Sequence, residues 1–127
     1  MTSDTEENKR RLKKAIDVFV NTFNGSYQKL DPTDVGYKIF DKNKNLIAYA
    51  EVCVKVQPIK YAYPLQINAK KLLKLIDKRM SSVMIWSCED GILYSRPNQL
   101  LGTIKLEGEE MMVYYDKQKS FKYVRFI

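Results

Sequence analysis

The chain has 127 residues, which suits one domain, 1–127, with a real but small core. Its hydrophobic fraction of 45% is ordinary for a globular protein, and its net charge of +7 favours a polyanionic partner such as nucleic acid. There is no histidine, which excludes Cys/His zinc sites and every hydrolase that relies on a histidine base.

The first residues, Met1 to Glu7, lack the basic-then-apolar profile of a signal peptide, and no apolar run approaches the ~20 residues of a membrane span. A soluble, cytoplasmic protein with no membrane partner is expected. From about Thr5 to Phe23, the residues Leu12, Ala15, Ile16, Phe19, Val20 and Phe23 recur at helical spacing. Asp4 or Thr5 caps the start and Asn24-Gly25 stops it. The outer face carries Lys9, Arg10, Arg11, Lys13 and Lys14, either a solvated face or a phosphate contact.

Leu30 to Asp34 reads as a loop, Val35 to Phe40 as a strand, Asp41 to Asn45 as a turn and Leu46 to Val56 as a longer strand ended by Pro58. Together they form an antiparallel hairpin. Gln57 to Pro64 is a loop that holds Lys60, Tyr61 and Tyr63, aromatic and basic groups suited to nucleic acid or to covering apolar surface. A second helix follows from about Asn68 to Arg79, then a buried strand from Val83 to Cys88, a turn and a returning strand from Ile92 to Ser95. Trp86 is assigned to the core. The segment 102–127 reads as short strands, a β-rich extension to a core of about 5–95. This order predicts an α+β or α/β fold, a mixed central β-sheet flanked by helices. Cys53 and Cys88 sit in apolar strand contexts and read as reduced thiols. No glycine-rich phosphate loop occurs, so P-loop and dinucleotide-binding readings fail.

Alternation along the strand puts Glu51, Cys53, Lys55 and Gln57 on one face and Ala50, Val52, Val54 and Val56 on the other. The second row asks for the core, leaving a polar face. Asp34 stands just before the partner strand, and the hairpin brings it toward Glu51. Two carboxylates on one surface suit a hard divalent cation, which takes oxygen ligands and activates water toward phosphate without histidine.

The stretch Asp34-Val35-Gly36-Tyr37-Lys38-Ile39-Phe40-Asp41, a turn, then Leu46-Ile47-Ala48-Tyr49-Ala50-Glu51-Val52, resembles the core of the PD-(D/E)XK, or restriction-endonuclease-like, nuclease superfamily. Tyr63 to Lys71 and Val83 to Tyr94 resemble its next helix and strands, most like small phage-encoded members. The match covers about Thr5 to Ser95. It implies a restriction-endonuclease-like core and an Mg²⁺- or Mn²⁺-dependent nuclease acting on nucleic acid, expected to be DNA. Asp34 and Glu51 would be the metal ligands and, with Lys55, the catalytic set. A homodimer and a host cytoplasm also come from this likeness.

The family's lysine, two residues after the glutamate, falls at Cys53 in this chain. Lys55, on the same face about 7 Å further along, bends back to replace it, or Lys70 does so from the second helix. Glu7, Cys53, Gln57 and Lys70 are accessory candidates. Lys60, Tyr61, Tyr63, Lys70 and Lys71 are the nucleic-acid-binding candidates. The displaced lysine leaves two alternatives open: a nuclease-fold protein that binds DNA without cutting it, or a phage protein that binds a host factor.

Overall fold

A computed structural model describes residues 5–31 and 36–127. The first helix, α1 (Glu6–Asn21), is capped by Thr5, whose hydroxyl accepts the Asn8 backbone N–H. It ends where Asn24 takes a left-handed conformation and the Gly25 N–H returns to the Val20 carbonyl. The expected alternative cap, Asp4, lies outside the described residues.

Three strands follow as a meander: β1 (Ser26–Lys29), β2 (Tyr37–Phe40) and β3 (Leu46–Val54). β1 was not expected from sequence. Val35, the predicted first residue of β2, lies outside the described residues. The β2–β3 turn is held by the Asp41 carboxylate, which accepts N–H groups from Asn43 and Asn45. After a 3-10 turn at Ile59–Tyr61 come β4 (Leu65–Asn68) and α2 (Ala69–Ile76), capped by Asn68. The remaining strands are β5 (Ser82–Ser87), β6 (Gly91–Ser95), β7 (Thr103–Glu107), β8 (Glu110–Tyr115) and β9 (Lys122–Arg125).

The chain is mixed α+β, with a mostly antiparallel central sheet of order β1-β2-β3-β5-β6-β9. Its parallel pair is β3 with β5, and α2 lies in the connection between them. A second sheet, β4-β8-β7, stands apart from the first. The tail is therefore woven into both sheets: β9 extends the central one, while β7 and β8 build the other.

The core has two halves, one on each face of the central sheet. α1 buries Ala15, Ile16 and Val20 against Ile39, Ala50, Val52 and Ile85. On the opposite face, Leu75 of α2 and Leu65, Ile67, Val113 and Tyr115 of the second sheet enclose Met84 and Trp86. Trp86 is buried as expected, and its indole N–H donates to the Gln66 carbonyl at 2.9 Å.

This arrangement corrects the reading of β3 as half-buried. At Ala50 to Val52 both of its faces are covered, as is usual for a strand with a parallel neighbour reached through a helix. Glu51 is only 7% exposed, whereas Val56, assigned to the core, is 56% exposed because the strand stops at Val54.

Candidate functional site

β2 runs alongside β3 only as far as Ala50, which pairs with Tyr37. Beyond it, Glu51 to Val54 pair with β5 on one side and, among the described residues, with no strand on the other. Gly36 abuts this point, with a positive φ of 43° and so close to Ala50 that a Cβ there would collide with the Ala50 carbonyl.

A cleft of about 550 Å³ opens over this flank. Its walls are Asn8 and Leu12 of α1, Glu51 and Cys53 of β3, Gln66 and Asn68 of β4, Lys71 of α2 and Met112 of β8. Lys71 enters because the Asn68 cap fixes the phase of α2: Lys71 lies one turn before the fully buried Leu75, on the stripe that faces the sheet.

The Lys71 ammonium stands 3.8 Å from a Glu51 carboxylate oxygen, an ion-pair distance longer than a charge-assisted hydrogen bond. Burial raises the Glu51 pKa above the usual carboxylate range, and the charges of Lys71 and Lys29 pull it partly back. Cys53 keeps some exposed surface as a residue, yet its thiol is enclosed. Burial first, and the Glu51 charge second, push that thiol up to about 12, so it stays protonated at neutral pH. It is neither a nucleophile nor a ready metal ligand there.

The other expected residues disperse. The Lys55 ammonium donates to the Pro64 carbonyl at 3.3 Å and lines a separate cleft, so the expected bend back toward Glu51 is not what the structure shows. Gln57 is exposed, and its carbonyl accepts the Glu89 backbone N–H. Glu7 pairs with Arg10 at 3.0 Å and Arg11 at 3.5 Å, in that second cleft. Lys70 is exposed on the first turn of α2, where its backbone N–H meets the Asn68 side chain. The Lys60 ammonium lies 5.5 Å from the ring centre of the exposed Tyr61, while Tyr63 packs edge-on against Phe121. Asp34 lies outside the described residues.

The donors beside Glu51 are amides, oxygen chemistry of the kind Mg²⁺ and Mn²⁺ accept. Asn68 is already committed, its Oδ1 to the α2 cap and its Nδ2 to Glu110. No three acidic, cysteine or histidine side chains converge among the described residues, so Glu51 is the one carboxylate they bring to this cleft.

Sequence reading placed Lys71 with nucleic-acid contacts and overlooked its pairing with Glu51. The signal was present in the four-residue step from Lys71 to Leu75. Lys29 was missed as well, since its strand was not recognised. Comparison with protein-family models, curated proteins and solved structures returned no match for this chain.

Proposed function

We propose that this chain is a metal-dependent phosphodiesterase of nucleic acid, DNA foremost, with a restriction-endonuclease-like core whose lysine is supplied by α2. The observation that carries the reading is the Lys71 ammonium 3.8 Å from Glu51, on the face where the in-strand lysine position is taken by Cys53. The element order supports it too: a helix, an antiparallel hairpin bearing the glutamate, a second helix and a strand parallel to the first.

In this reading, Glu51 would hold the cation, joined by Asp34 from outside the described residues. A divalent ion bound there would supply Lewis acidity toward the phosphoryl oxygen and a more acidic attacking water. Lys71 does two things. It offsets part of the burial penalty on the Glu51 carboxylate, and it offers positive charge to the phosphoryl oxygens as negative charge grows on them. Leu12 and Met112 make part of the wall apolar, which strengthens both effects by lowering the local polarity. The protonated Cys53 thiol adds no competing charge.

The test is incubation with Mg²⁺ or Mn²⁺ and single- or double-stranded DNA and RNA, read on denaturing gels. Cleavage that needs the metal and disappears in Glu51→Ala is expected. A folded wild-type protein that cuts none of these with either metal would overturn the proposal. A second reading, binding without hydrolysis, draws on Cys53 itself, which supplies no cation where the family has one.

A further inference from the structure

A second cleft, of about 230 Å³, lies on the other side of the first turns of α1. Four cations line it, Arg10, Arg11 and Lys14 from α1 and Lys55 from the end of β3, against two carboxylates, Glu7 and Glu89. This cleft and the Glu51 cleft share Val56 in their walls, and their α1 residues are consecutive, Glu7 in one and Asn8 in the other.

We infer that the two clefts form one track, in which the basic cleft holds the phosphate backbone of a nucleic-acid strand that has another of its phosphates, a few nucleotides along, at Glu51 and Lys71. The inference rests on the phosphodiester reading for the identity of its occupant. Lys55 is four residues beyond Glu51, about 13 Å along the strand direction, a span of a few nucleotides. Val56, apolar and exposed between the clefts, is placed to meet sugar or base edges. Two of the four cations, Arg10 and Lys14, are held loosely enough to switch partners. Arg10 is 71% exposed in its pair with Glu7, and exposed pairs contribute little, so a phosphate can replace the carboxylate at small cost. Lys14 rests 4.2 Å above the Phe126 ring, a weak contact that a phosphate can replace. Two elements thus converge on one pocket with the planar and point-charge donors that phosphate binding uses.

The experiment measures binding of a fluorescent 12-nucleotide single-stranded DNA to Glu51→Gln protein in EDTA, across a salt series. In that background, Arg10→Glu/Lys14→Glu is compared with Lys42→Glu/Lys44→Glu. The control pair changes net charge equally but sits in the turn at the far end of β3. The α1 pair should weaken binding tenfold or more and reduce the salt slope by about 1.4, roughly 0.7 for each lost phosphate contact. The control should change affinity less than threefold. Arg10→Ala/Lys14→Ala removes charge without adding repulsion and should move affinity in the same direction, which guards against a fold defect. Equal losses from both reversals, or none from the α1 pair, would overturn the track. Because no cleavage is measured, loss of the hydrolytic reading leaves this result standing, and active enzyme indifferent to the α1 pair would remove the track alone.

Discussion

Glu51 and Lys71 belong to elements separated by a loop and an extra strand, yet the ammonium of one stands 3.8 Å from the carboxylate of the other. The carboxylate is nearly enclosed, and the lysine, whose side chain is 60% exposed, reaches it from solvent. A charge that enters from the open side can attend both the acid and a bound phosphate.

Replacing that lysine is the most direct test. Lys71→Ala should lower kcat by about 10²–10³, the usual loss when one preorganised charge donor is removed from a developing anion. Lys55→Ala, whose ammonium is engaged at Pro64, should keep kcat within a few-fold of wild type. Initial rates at saturating metal distinguish the two, and equal losses would refute the assignment to α2.

Glu51 should make the fold pH-dependent in an unusual direction. Its folded-state pKa is raised above the unfolded value, chiefly by burial, so ionisation costs stability. That cost is absent below the unfolded pKa, grows as pH rises between the two values, and is fully present above the folded one. Glu51→Gln should therefore be more stable than wild type at neutral pH, and its advantage should vanish near pH 3.5, roughly a unit below an ordinary glutamate. Urea unfolding at both pH values decides the point. An unchanged or negative difference at neutral pH would show that Lys71 and Lys29 outweigh burial.

Manganese should protect the wild-type protein against heat. A cation that binds only the folded state adds about 2.7 kcal/mol at a concentration of 100 Kd, enough to raise Tm visibly. Glu51→Ala should lose that shift. If both proteins shift alike, the ion binds elsewhere.

Gly36→Ala should destabilise by about 1–3 kcal/mol, since the left-handed φ disfavours a side chain and the new Cβ meets the Ala50 carbonyl. The peptide disturbed is the one that leads into Glu51, so hydrolysis should fall by more than the unfolded fraction explains. Denaturant titration and rate measurements on one preparation separate these losses; a fully active, fully stable variant would mean that this contact is dispensable.

Cys53→Lys should recover part of the activity lost in Lys71→Ala, because both side chains line the Glu51 cleft. Comparison of the double variant with Lys71→Ala alone measures the rescue. No gain would separate this site from the strand-borne arrangement of the superfamily proposed for it.

Periodicity was enough for α1, the β2–β3 hairpin, α2 and the β5–β6 pair, since each carries its pattern within its own few residues. Thr5 and Asp41 marked boundaries through local hydrogen bonding, and Asn24 through its left-handed backbone, which residue type displays directly. β4 did not announce itself: its four residues find their partner in β8, more than forty positions away. That missing strand explains the error at Glu51. Alternation showed which face the carboxylate occupies, whereas its cover comes from β4 and α2, whose placement depends on the second sheet. Lys71 was recognisable as a basic residue beside the sheet, but its partner required the phase of a helix set by Asn68.

The flank of β3 beyond Ala50 has a consequence for mutagenesis. Main-chain N–H and C=O groups from Glu51 to Val54 that a further strand would have consumed face the cleft, among the described residues, without one. A polymer laid along that border meets peptide groups that no side-chain replacement deletes. Alanine scanning of the walls will then leave a residue-independent floor of affinity, and only a change of backbone, such as an amide-to-ester substitution at Val52 or Val54, can lower it.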